Sequence, residues 1–206
     1  MLMHGAETCR DERLELPHPR LICRRFALLP AAEVAPDLAH PRFGWTLQQL
    51  ATHMQSAPPR FVVTSVERAA ADDFCARLAL MSPLAERLAR KDISLRVVDV
   101  SSELSLEQSS ELAPEPSANL TASTTATTSE LRAGRVSHLA ARLNETQPKL
   151  IVLLAAARES QADDGLAAIL ERAAFQPFRA PALRIVLDDS DRALAEAGAA
   201  LEEMAS

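Results

Sequence analysis

Residues 61–100 read FVVTSVERAAADDFCARLALMSPLAERLARKDISLRVVDV, and this stretch decides the fold class. Phe61–Val66 (FVVTSV) is a short run rich in β-branched residues and of strand length. Behind it Ala70, Phe74, Leu78 and Met81 recur at helical spacing. Ser82–Pro83 restarts the helix, because serine caps well and proline suits a first turn. Leu84, Ala85 and Leu88 carry the apolar face on toward Lys91. Leu95–Val100 (LRVVDV) is a second strand. Strand, long helical crossover and strand make a βαβ unit, which predicts a parallel pair.

Downstream the composition changes. Ser101–Ser129 is mostly Ser, Thr, Glu, Ala and Pro, with neither a helical nor a strand period. Such a segment buries too little apolar area to offset its ordering entropy, so a long disordered insert is expected. Order returns with Ser129 as a cap and Leu131, Val136, Leu139 and Leu143 on one helical face. Lys149–Ala156 (KLIVLLAA) is nearly all apolar, the pattern of a strand covered on both faces. Ser160 and Asp163 cap a helix that presents Leu166, Ile169, Leu170 and Ala173. Leu183–Leu187 (LRIVL) is the next strand, and a last helix from Ser190 uses Leu194, Ala197, Leu201 and Met204. The expected fold is α/β: a three-layer, Rossmann-like or flavodoxin-like parallel sheet of four or five strands.

Upstream, residues 1–58 read as an N-terminal extension to the α/β domain of 59–206. Arg20–Leu29 (RLICRRFALL) is an expected edge strand, and Pro30, Pro36 and Pro41 then interrupt the chain. Thr46-x-x-Gln49 is a capping box that opens a short helix to about Gln55.

Composition excludes several functions. Aromatic residues are 3% of the chain and tyrosine is absent, so a base-stacking surface has no material to be built from. Net charge is −6, which gives no general attraction to polyanions, and no nucleic-acid partner is expected. Arg24–Arg25 and Arg87–Arg90–Lys91 are local basic spots, read as snorkelling surface side chains. Cys9, Cys23 and Cys75 are odd in number and widely spaced, so neither a disulfide framework nor zinc is expected. The five histidines are scattered along the chain, and no metal or cofactor is expected. With neither an apolar export segment nor a bilayer-length run, a cytoplasmic chain without membrane insertion is expected.

Ligands of parallel α/β sheets bind beyond the carboxyl ends of the strands. Thr64 and Ser65 stand at the first such end and could offer hydroxyls to a phosphate, or Ser65 could simply cap the next helix. Asp99 ends the second strand and could accept a ribose hydroxyl. Asp188, Asp189 and Asp191 follow the last strand. They could hold Mg²⁺, and they equally suit a helix N-terminus, where acidic residues complement the macrodipole. No GxGxxG, GxxxxGK[ST], GxSxG or HExxH motif is present.

Gln147–Leu154 (QPKLIVLL), Asp163–Leu166 (DDGL), Ile185–Leu187 (IVL) and Glu196–Ala199 (EAGA) resemble the third strand to fourth helix of a two-component receiver domain. Phe61–Glu67 stands where a receiver has its first strand and acidic pair. The resemblance implies a degenerate receiver. The phosphoacceptor aspartate would fall near Leu154–Ala157, where there is no carboxylate, and the acidic pair at Thr64–Ser65. The strand carrying the family's lysine has no counterpart before Ser206. The resulting expectation is a non-catalytic α/β protein-interaction or regulatory module. Its partner would be another protein or a second copy, met by helix Ser190–Met204 or the insert. The alternatives are a Rossmann-like protein that binds a small ligand or nucleotide, and a Mg²⁺-dependent phosphotransfer or hydrolase enzyme using Asp188, Asp189 and Asp191.

Overall fold

All six residues of Leu150–Ala155 are buried, although side chains of a strand alternate between its two faces. Both faces of the sheet are therefore covered at this strand, as its unbroken apolar sequence requires. The computed structural model describes residues 2–10, 14–65, 68–81, 84–98, 147–155 and 180–205. The expected insert at 101–129 and the helices expected near 131–144 and 160–173 lie outside these residues.

In chain order the elements begin with a small antiparallel pair, β1 (Cys9–Arg10) and β2 (Glu15–Leu16). A 3-10 turn (Leu21–Cys23) leads into α1 (Arg25–Val34), and α2 spans Leu47–Ser56. Then come β3 (Arg60–Ser65), α3 (Arg68–Ala79), α4 (Leu84–Ala89) and β4 (Ser94–Val97). The described chain closes with β5 (Leu150–Ala155), β6 (Ala182–Val186) and α5 (Ser190–Ala205).

The main sheet has four strands in the order β4-β3-β5-β6, all pairs parallel. Phe61 stands opposite Leu150 and Ser65 opposite Leu154, while Ile151 faces Ala182 and Ala155 faces Val186. The apolar runs FVV and LIVLL thus occupy the centre, and the shorter, less buried β4 takes an edge. After β3 the chain steps to one side to make β4, then crosses back to lay β5 on β3's other side. The direction of winding reverses between β3 and β5.

Arg20–Leu29 is not an edge strand. Its apolar residues fit helical packing better: Leu21, Ile22 and Cys23 are buried in the 3-10 turn, and Leu28 and Ala32 lie one turn apart on the buried side of α1. Pro30 sits inside that helix. The carbonyl that loses its partner there belongs to Phe26, which is 75% exposed and within reach of water. The Thr46 capping box forms as expected: Gln49 N–H donates to Thr46 Oγ1 at 3.2 Å, and Thr46 N–H donates to Gln49 Oε1 at 2.9 Å.

Leu21, Ile22, Leu28, Leu47, Leu50 and Met54 belong to one apolar cluster with the sheet and with Leu201 and Met204 of α5. Each such fully buried side chain contributes about 1.5–3 kcal/mol. Ion pairs fasten the same contact from outside, Arg20 to Glu196 at 2.8 Å and Arg24 to Glu203. Between α1 and α2 a tight loop turns at Gly44, whose φ of +68° favours glycine. The loop encloses His40, 3% exposed, with its ring 4.4 Å from that of Phe43 and its Nδ1 without a partner. On the far side α5 approaches the α3–α4 corner closely. A Cβ on Gly198 would stand 3.2 Å from Met81 Cε and 3.7 Å from Leu84 Cδ1.

Candidate functional site

Parallel strands β3 and β5 end side by side at Ser65 and Ala155, where the winding reverses. Neighbouring connections leave such a point in opposite directions, which opens a crevice for ligands. The sequence shows the strands but not their order, because parallel pairing joins segments nearly ninety residues apart.

The expected site residues divide here. Ser65 is buried at the end of β3, at this reversal point. Thr64 is buried beside it, and its hydroxyl donates to the Val98 carbonyl at 2.9 Å, tying β3 to the chain leaving β4. That hydroxyl's proton is committed to the fold. Asp99 lies outside the described residues. Asp188, Asp189 and Asp191 follow β6, one strand away from the crevice.

The three aspartates have separate employments. Asp188 Oδ1 accepts the Asp189 N–H at 2.8 Å, closing the turn. Asp189 Oδ1 accepts the N–H groups of Asp191 and Arg192, both at 3.1 Å, and so caps α5. Asp191 pairs with Arg77 of α3 at 2.9 Å, and Arg77 also donates to Ser190 Oγ. With Asp191 93% exposed, that pair is worth well under about 1 kcal/mol. Among the described residues no three His, Cys, Asp or Glu side chains gather as a metal centre. Asp188 keeps an exposed carboxylate whose second oxygen is not engaged by the turn. Arg77 was not legible as a partner of this cluster, since nothing local signals a contact across 114 residues.

The other groups with chemical potential are quenched by burial. Burial pushes the thiols of Cys23 and Cys75 up to about 12, so neither is a nucleophile at neutral pH. His40 is pushed down to about 3 by burial, with the Arg42 charge adding to it. Burial also lowers His53, whose Nε2–H donates to the Lys149 carbonyl at 3.1 Å and whose ring meets Trp45 edge-on. Among the described residues no helix is long and apolar enough to cross a membrane.

Comparison with known proteins adds one finding. Over 50 residues the chain is 42% identical to a 2-amino-4-hydroxy-6-hydroxymethyldihydropteridine pyrophosphokinase from Synechocystis sp. (strain ATCC 27184 / PCC 6803 / Kazusa). The match takes in 24% of this chain and 26% of that protein, so it spans about a quarter of each. No family model matches the chain, and no solved structure does. The likeness to an enzyme overturns the expectation of a non-catalytic interaction or regulatory module.

Proposed function

We propose that the chain catalyses phosphoryl or pyrophosphoryl transfer from a nucleotide at the carboxyl edge of β3 and β5. The observation that carries this reading is the 50-residue likeness to a pyrophosphokinase. The topology supports it, because a parallel sheet that reverses its winding offers a crevice of the kind that holds nucleotides. Ser65 ends β3 at that edge of the sheet. Mg²⁺ in phosphotransfer sites is held by one or two carboxylates together with substrate phosphates. Asp188 is the carboxylate suited to that role here, since Asp189 is spent on the cap and Asp191 on Arg77.

The test is to incubate the full chain with ATP, Mg²⁺ and the hydroxymethyldihydropteridine alcohol, and to separate the nucleotides by anion exchange. Pyrophosphoryl transfer leaves AMP, and phosphoryl transfer leaves ADP. Asp188→Asn is expected to slow either by at least about tenfold while leaving the unfolding midpoint in place. Saturating Mg·ATP at about 100 times its dissociation constant stabilises a folded protein by about 2.7 kcal/mol. No nucleotide conversion together with an unmoved midpoint would remove the reading.

The sheet order also supports the receiver-like resemblance as a statement of descent, since receivers share the flavodoxin-like order in which the second strand flanks the first. On that reading the phosphoacceptor position, expected within Leu154–Ala157, would belong to the same edge of the sheet, given over to a different phosphate chemistry. Homologues with an aspartate within Leu154–Ala157 are the expected trace of that descent. Their absence from a deep alignment would count against it.

A further inference from the structure

Helix α1 turns an apolar row to water. Phe26, Pro30 and Val34 recur at every fourth position, which sets them along one ridge of the helix. All three are exposed, Phe26 at 75% and Val34 at 87%. Single apolar side chains on a surface are ordinary, and Leu80, just past α3, is one. A row of three on one helix is not accounted for in that way. The other side of α1, with Leu28 and Ala32, already faces the core. Helix α5, expected to meet a partner, offers no such row, because its Leu194, Leu201 and Met204 are buried.

The neighbouring ridge, Arg25, Leu29 and Glu33, runs beside that row and carries opposite charges at its two ends. Arg25 is half-exposed and Glu33 exposed. Glu203 of α5 meets the start of α1, but its carboxylate is taken by the Arg24 guanidinium and the Arg25 N–H. Neither the Arg25 guanidinium nor the Glu33 carboxylate makes an ion pair with a described residue. Within its own helix Glu33 is badly placed. It stands in the last turn, where the macrodipole favours cations, and no basic residue accompanies it there. A two-fold axis near Pro30 would lay a second α1 antiparallel on the first, so that each contact is made twice. Phe26 then meets Val34 of the second copy, and Arg25 comes within reach of Glu33 of the second copy. A parallel pairing would instead set arginine beside arginine and glutamate beside glutamate, which is repulsive. The face is complementary to itself in one orientation.

We propose that the chain forms a two-fold dimer through the outer face of α1. A second copy's α1 lies antiparallel across Phe26, Pro30 and Val34, with Arg25 paired to Glu33 in both directions. A ten-residue helix is about 15 Å long. A contact centred on it belongs with the smaller interfaces, about 1,200 Å² or less in total, so the dimer comes apart on dilution.

The test is sedimentation equilibrium of the full chain from dilute to millimolar protein. Wild type is expected to pass from monomer to dimer. Val34→Asp puts a charge into the apolar row and should weaken association by about tenfold or more. Arg25→Glu and Glu33→Arg each set like charges opposite one another and should weaken it by a similar factor of about ten. Mixing these two variants restores opposite charges at both contacts, so the mixture should regain association as a heterodimer. Glu33→Arg also brings a cation to the last turn of α1, so its unfolding midpoint in dilute solution should not fall. Should Arg25→Glu fail to fold beside Glu203, Glu33→Arg and Val34→Asp decide. A wild type that stays monomeric at millimolar protein overturns the proposal. So does association untouched by Val34→Asp or by Glu33→Arg, and so does a mixture that regains nothing. Failure of nucleotide turnover has no bearing on these outcomes, because mass alone is read.

Discussion

Acid should weaken this protein through His40. The imidazole is enclosed by the loop between α1 and α2, faces Phe43 and is held near a pKa of about 3, against an ordinary 6.5. In the unfolded chain it takes up a proton as pH falls through 6.5, while in the folded chain it does not until about 3. The unfolded state therefore binds more protons throughout that window, and stability falls as pH falls across it. At pH 5 the unfolded imidazole is nearly all protonated and the folded one nearly all neutral, which removes about 2 kcal/mol relative to pH 7.5. The loss reaches about 4 kcal/mol near pH 3. His53 is depressed in the same direction and adds to the slope. The measurement is urea unfolding at pH 7.5, 6 and 5, followed by the fluorescence of Trp45, the sole tryptophan. His40→Phe keeps a ring against Phe43 and removes the titration, while His53 and the carboxylates remain in both chains and cancel. The variant should lose about 2 kcal/mol less than wild type between pH 7.5 and 5. Parallel pH dependence in the two chains would refute the assignment.

Two further outcomes test the packing. Thr46→Ala removes one half of the α2 capping box and should cost about 1 kcal/mol in urea unfolding, because the Gln49 N–H loses its acceptor. Loss near zero would mean that α2 is held by Leu50 and Met54 alone. Gly198→Ala should stabilise by up to about 1 kcal/mol, the helix-propensity gain, since the atom in its way is the far end of the flexible Met81 side chain. A destabilised alanine variant would show that Met81 is clamped at the α3–α4 corner.

The sheet and its flanking helices were legible wherever local pattern decides structure. Phe61–Val63 and Leu150–Leu154 announce central strands because nothing polar interrupts them, and Thr46 and Gln49 announce a helix start because the box is built from neighbours. Arg20–Leu29 misled because its apolar residues suit either period, and Pro30 argued against the helix that forms across it. Docking against α5, nearly 180 residues away, decided the matter. The site was legible only as position. Strand ends could be identified, but not that Thr64 would spend its proton on Val98 or that Asp191 would find Arg77.

The fastening of the early helices to α5 has a consequence for synthesis. Leu21, Ile22 and Cys23 find their cover on a helix translated near the end of the described chain, and Arg20 and Arg24 find their counter-charges there too. A ribosome-bound nascent chain can pair β3 with β4 long before then, but its first apolar segment has nowhere to settle. Residues 20–24 are thus locked in place only once α5 has been made. Until then Leu21, Ile22 and Cys23 lack that cover, and a holding chaperone would be expected to shield them until α5 arrives.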